Sequence, residues 1–133
     1  MIKLEKSRKY LFRQMSDYRE EIIDHYKNPR NFGLMEKSDL EITEANSSCG
    51  DMIKIYVKKD GEKISEMMWQ GVGCAISTAA ASMLSERVKG MNEKELLALG
   101  DKGVVEMLGG EVNLGRINCA TLAYRGLLKA FEK

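Results

Sequence analysis

Met52-Ile53-Lys54-Ile55-Tyr56-Val57-Lys58-Lys59-Asp60-Gly61-Glu62-Lys63-Ile64 is the stretch on which the fold turns. Ile53, Ile55 and Val57 alternate with Lys54 and Lys58, the period-two pattern of a half-buried strand. Asp60-Gly61 is a strong hairpin turn signal, so Ile64 to Gln70 reads as the returning strand. Upstream, Leu40-Glu41-Ile42-Thr43 alternates in the same way, which gives a three-stranded antiparallel sheet. Downstream the period changes. Cys74 to Leu84 is rich in Ala, Ser and Thr and reads as a tightly packed helix that stops near Lys89-Gly90. Strands grouped early and helices grouped late imply an α+β fold, a three-stranded antiparallel sheet packed against several helices.

The remaining helices follow from their end signals. Tyr18 to Tyr26 places Tyr18, Ile22, Ile23 and Tyr26 at helical spacing, with Ser16 or Asp17 as cap and Asn28-Pro29 as stop. Asn92 and Glu95 form a capping-box start for a helix over Glu93–Leu99. Asp101 opens another short helix through Leu108, which Gly109-Gly110 ends. Cys119 to Phe131 is the last helix, with Leu122, Leu127, Leu128 and Phe131 inward. Residues 1–16 carry Lys3, Lys6, Arg8, Lys9 and Arg13 around Leu4, Leu11 and Phe12. They form an N-terminal extension, a weak amphipathic helix or a mobile tail, ahead of a single domain over 17–133.

A chain of 133 residues can bury a core without staples. Its net charge of +1 lacks the basic excess of a nucleic-acid surface. No apolar run approaches the roughly 18 residues that span a bilayer, and Met1 to Lys6 lacks the apolar core of a signal peptide. A cytoplasmic protein is expected. Cytosolic thiols stay reduced, so an odd count of three cysteines points to ligands or reactive groups rather than disulfides.

Those cysteines are Cys49, Cys74 and Cys119, each with small neighbours, and Asp51 lies two positions after the first. Three thiolates and a carboxylate make a four-ligand set for Zn²⁺ or an iron–sulfur cluster. Cys74 and Cys119 fall at helix starts, where free N–H groups favour thiolate over thiol. Taken singly, each cysteine reads equally well as a small core hydrophobe. His25, the only histidine, reads as structural or partner-facing rather than as a ligand, and the nine methionines as packing. Arg116 could steady a thiolate near Cys119.

The chain resembles the U-type iron–sulfur scaffold family, the IscU and SufU proteins and the N-terminal part of NifU. The resemblance rests on Ile22 to Gly33 (IIDHYKNPRNFG), Cys49-Gly50-Asp51, Gly73-Cys74-Ala75-Ile76-Ser77 and Cys119-Ala120-Thr121-Leu122-Ala123, in that order. It implies an α+β fold with Cys49, Asp51, Cys74 and Cys119 around one exposed site. It further implies a non-enzymatic scaffold that accepts sulfur from a cysteine desulfurase, assembles a labile [2Fe–2S] cluster with iron and passes it to apoproteins, with a homodimer or higher oligomer as the expected assembly. The alternative it carries is a zinc-dependent sulfurtransferase with Zn²⁺ at the same place. Cys119 is the implied acceptor of persulfide sulfur.

This chain departs from the pattern in two ways. Asn118 stands where IscU-like members carry a histidine before the third cysteine. Glu111-Val112-Asn113-Leu114-Gly115 replaces the Leu-Pro-Pro-Val-Lys segment that recruits a specialised chaperone. Arg116 to Ala123 is SufU-like in local sequence, while the short spacing from Cys74 to Cys119 is IscU-like in length.

Overall fold

The computed structural model describes residues 19–46, 50–110 and 112–132. The extension over 1–16, the proposed caps Ser16 and Asp17, Tyr18, Glu111 and the ligand candidate Cys49 lie outside the described residues. Strands β1 (Leu40–Asn46), β2 (Asp51–Asp60) and β3 (Lys63–Val72) form one antiparallel sheet in the order β1-β2-β3. Asp60 pairs with Lys63 across the hairpin, and Gly61 supplies the left-handed residue of the turn at φ +62°. The register slips between Lys58 and Lys59, a bulge that the alternating pattern did not announce.

Helix α1 covers residues 19–27, α2 Ala75–Arg87, α3 Glu93–Met107 and α4 Ile117–Glu132, preceded by a 3-10 turn at Leu114–Arg116. Helices α2 and α4 pack on the sheet and on each other, and α3 packs against α4. Ile53, Ile55, Val57, Met67 and Trp69 of the sheet meet Ala80, Leu84, Leu122 and Leu127 in one core. Helix α2 is buried over most of its surface, Ser77 and Ala79 to Ser85 included. Its Ala-Ser composition accounts for this, because small side chains let neighbours approach on every side.

One local reading changes in detail. Helix α1 keeps Ile23 and Tyr26 half exposed, at 52% and 48%, and buries His25 instead. The two short helices expected over 93–108 are both present, separated within α3 by the non-helical Gly100, where φ is +66° and ψ 169°. The Tyr124 hydroxyl of α4 closes that break. It accepts from Gly100 N–H at 2.9 Å and donates to the Leu96 carbonyl at 2.6 Å. The Asn92–Glu95 capping box forms as read.

Candidate metal centre

Asp51 is the first residue of β2, at the end of the strand from which β3 returns toward Gly73 and Cys74. Cys74 is the N-cap of α2, with extended backbone at φ −73° and ψ 173°. Cys119 lies in the first turn of α4. One end of the sheet and the starts of two helices therefore converge. An oxygen of Asp51 and the Sγ atoms of Cys74 and Cys119 all lie within 4.8 Å of one another. The Cys74 thiol donates to Asp51 Oδ2 at 3.9 Å. Cys49 and its immediate neighbours are outside the described residues, so the fourth candidate ligand has no measured position. Its chain neighbour Gly50 has φ +73°, a turn that returns the chain into β2 at Asp51.

Burial and charge are uneven around the cluster. Asp51 is 4% exposed and Cys119 3%, whereas Cys74 is half-buried. The expected exposed site is thus open mainly at Cys74, because Cys119 turns into the packed first turn of α4. Burial pushes the Cys74 thiol up, but the Ser77 N–H and hydroxyl, the Cys119 thiol and the Ile76 N–H together bring it below the ordinary thiol range. This is the helix N-terminus acting on the thiolate.

A buried carboxylate beside two thiols, one of them drawn toward thiolate, is an arrangement that a bound cation relieves. The donor set suits the group. A tetrahedral zinc ion sets sulfur and oxygen ligands about 3.5 to 3.8 Å apart, and the three described atoms lie within 4.8 Å of one another. Space for this is reserved by Gly73. A Cβ there would run into Ser77 Oγ and come within 3.1 Å of the Asp51 carboxylate. Ser77 Oγ also donates to the Cys74 carbonyl at 3.0 Å.

Gly73 and Ser77 thus support the centre without being among the expected ligands. The signal for Gly73 was a glycine directly before a cysteine at a helix start. Asn118 and Arg116 are exposed, and His25 sits on α1 with Ser82 of α2 as its partner. Among the described residues, His25 is not part of the Asp51–Cys74–Cys119 group.

The whole described fold has counterparts. The family profile described as "NifU-like N terminal domain" matches residues 17–133. The chain is 35% identical over 133 residues to the "Zinc-dependent sulfurtransferase SufU" of Bacillus subtilis strain 168, covering 87% of this chain and 90% of the relative. It is 36% identical over 113 residues to the "Iron-sulfur cluster assembly scaffold protein IscU 1" of Archaeoglobus fulgidus, covering 85% and 73%. A crystal structure of a putative SUF-system scaffold from Fervidobacterium islandicum AW-1 superposes with a TM-score of 0.71 at 30% identity, covering 84% of this chain and 93% of that one. By the span of the profile match and the identity to these relatives, the chain belongs to the NifU-like N-terminal domain family of U-type iron–sulfur assembly proteins.

Proposed function

We propose that this protein is an iron–sulfur assembly scaffold, with residues 17–133 as the scaffold domain. It receives sulfur from a cysteine desulfurase, assembles a labile [2Fe–2S] cluster with iron on Cys49, Asp51, Cys74 and Cys119, and hands the cluster to apoproteins. The observation that carries this reading is the convergence of Asp51, Cys74 and Cys119 within 4.8 Å in a chain of this family. Relative lengths do not separate the scaffold and sulfurtransferase readings, because relatives named as scaffolds align both with and without added positions. The alignment with the Bacillus SufU runs 133 residues but takes up only 87% of a chain itself 133 residues long, so it includes positions that the relative has and this chain lacks. The alignment with the archaeal IscU runs 113 residues over 85% of the chain and needs no such allowance.

In this reading each residue has a task. Cys49 and Cys74 hold iron through soft thiolates. Asp51 contributes a hard oxygen that exchanges more readily than a fourth thiolate, which suits cargo that must leave. Cys119 attacks the sulfane sulfur of the desulfurase persulfide. The new S–S bond forms on Cys119 Sγ, the donor's S–S bond breaks, and the donor leaves as thiolate. At 3% exposure, Cys119 accepts sulfur only after the site opens. The second reading, a zinc-dependent sulfurtransferase, is favoured by one observation, the single-ion spacing of the three described ligand atoms.

Anaerobic purification separates the two. Visible absorption with iron and acid-labile sulfide in near-equal amounts, weakened in Cys119→Ser, is the outcome for a scaffold. Stoichiometric zinc without sulfide, persisting after reconstitution with iron and a desulfurase, would replace it with zinc-dependent sulfur transfer.

A further inference from the structure

Cys119 is 3% exposed, yet the stretch that leads into it is open to water. Asn113 to Arg116 are exposed, Ile117 is half-buried and Asn118 is exposed again. Apolar packing therefore does little to hold this stretch, and hydrogen bonds carry the task. Three of them are local. The Gly115 N–H donates to Asn113 Oδ1 at 3.0 Å, the Arg116 N–H to the Asn113 carbonyl at 2.7 Å, and the Thr121 hydroxyl to the Ile117 carbonyl at 2.8 Å. The fourth comes from farther along α4. Arg125 Nη2 donates to the Asn118 carbonyl at 2.9 Å, from seven positions on, which is about 10 Å of helix. That carbonyl belongs to the peptide unit joining Asn118 to Cys119.

The guanidinium holds this position at a cost. Its Nε is buried with no hydrogen-bond acceptor among the described residues, and a stranded donor of that kind asks for an explanation. It also carries a cation back to the first turn of α4, the positive end of the helix. A side chain swung out to water would avoid both penalties. We propose that Arg125 is a positioning residue for Cys119: by pinning the Asn118–Cys119 peptide, it keeps the first turn of α4 closed over the thiol. Losing this one bond loosens the turn and leaves the rest of α4 in place. The consequence for sulfur transfer rests on the reading of Cys119 as acceptor, since a desulfurase must then break this hold before the thiol attacks.

Alkylation of the metal-free full-length chain tests this, with Cys74 as the internal reference. Arg125→Met keeps an apolar stem and removes the donors. Arg125→Lys keeps a cation and a donor on a stem of similar reach. Iodoacetamide should modify Cys119 about fivefold faster in Arg125→Met than in wild type, as the loss of one hydrogen bond would give, with the Cys74 rate unchanged. Arg125→Lys should stay within about twofold of wild type. An unchanged Cys119 rate in Arg125→Met overturns the proposal. So does an equal rise at Cys74 and Cys119, which would mean that the variant had loosened the whole site. Sulfur delivery is measured separately, with cysteine and a cysteine desulfurase, from the mass of the Cys119 peptide. Faster alkylation of Cys119 alone, in proteins that never acquire sulfur there, would uphold the positioning role of Arg125 and remove the acceptor role of Cys119 from the proposed function.

Discussion

Gly73 carries a responsibility that its lack of a side chain conceals. It lets Ser77 and Asp51 approach the backbone just before Cys74, so any substituent pushes either the α2 start or the carboxylate out of place. Gly73→Ala is expected to lower zinc affinity about ten- to hundredfold, the range for disturbed outer partners of a metal ligand, while far-UV circular dichroism stays unchanged. Competition with a chromophoric chelator measures it. The two described thiols should also differ in reactivity. Cys74 is half-buried with its thiol drawn below the ordinary range, and Cys119 is buried. With metal removed, iodoacetamide should therefore modify Cys74 before Cys119, and should do so at a pH where an ordinary thiol is still largely protonated. Peptide mapping over a time course reads the order. Cysteine spacing and Asp51 suggested the ligand set in the sequence, and the structure brings Asp51, Cys74 and Cys119 of it together. The relative burial of the thiols was not legible there, because it depends on how the first turn of α4 packs.

Elements were read best where chemistry is local. The β2–β3 hairpin needs Gly61, and the α3 start needs Asn92 and Glu95, so a few adjacent residues announce them. The break at Gly100 was legible as the gap between a helix ending at Leu99 and one opening at Asp101, but the Tyr124 hydroxyl that closes it, twenty-four residues beyond Gly100, was not. In helix α1 the burial of His25 likewise rests on a distant partner. His25 is drawn inward by Ser82 of α2, at 2.6 Å from His25 Nδ1, so a polar partner decides which side faces the core. Tyr124→Phe leaves the Gly100 N–H and the Leu96 carbonyl without the hydroxyl that joins them. It should cost about 1 to 3 kcal/mol, the range for stranded buried polar groups. Urea denaturation at constant m-value checks this, and amides near Gly100 should lose protection first.

At the scale of the molecule, the segment after α1 ties three elements together. The Arg30 N–H donates to Ser82 Oγ at 2.8 Å, Asn31 Nδ2 to Ser85 Oγ at 3.0 Å, and Trp69 Nε1 to the Arg30 carbonyl at 2.9 Å. Gly33 and Asn31 also exchange backbone hydrogen bonds with Trp69, so this segment lines part of the outer edge of β3. His25 sits in the same network, with Glu86 Oε1 3.7 Å from its Nε2. Burial, with the Arg30 charge adding to it, holds its pKa below the ordinary 6.5 against the opposing pull of Glu86, Glu21 and Asp24. A histidine depressed in the native state binds its proton more readily when unfolded. Its contribution is complete above the unfolded value near 6.5 and is lost as pH falls through the lower native value. Melting temperature should therefore decline on acidification below about pH 6.5, and His25→Asn should flatten that part of the profile. The sequence motif marked these residues as belonging together, but not that they meet around Ser82 and Ser85.

Trp69 is the only tryptophan of the chain, 2% exposed, with Phe32 edge-on at a ring distance of 5.0 Å. It also lines the small cavity that contains Gly73 and Ser77 beneath the metal centre. A single indole thus faces the docked Arg30–Phe32 segment and lines the cavity that also holds Gly73, the residue before Cys74 of the proposed cargo site. Its emission is a built-in optical gauge of both. Release of the segment moves the spectrum toward the red, whereas a visible-absorbing cargo dims the emission without moving it. Colourless zinc does neither, so one fluorescence cuvette can follow unfolding, loading and discharge without a label.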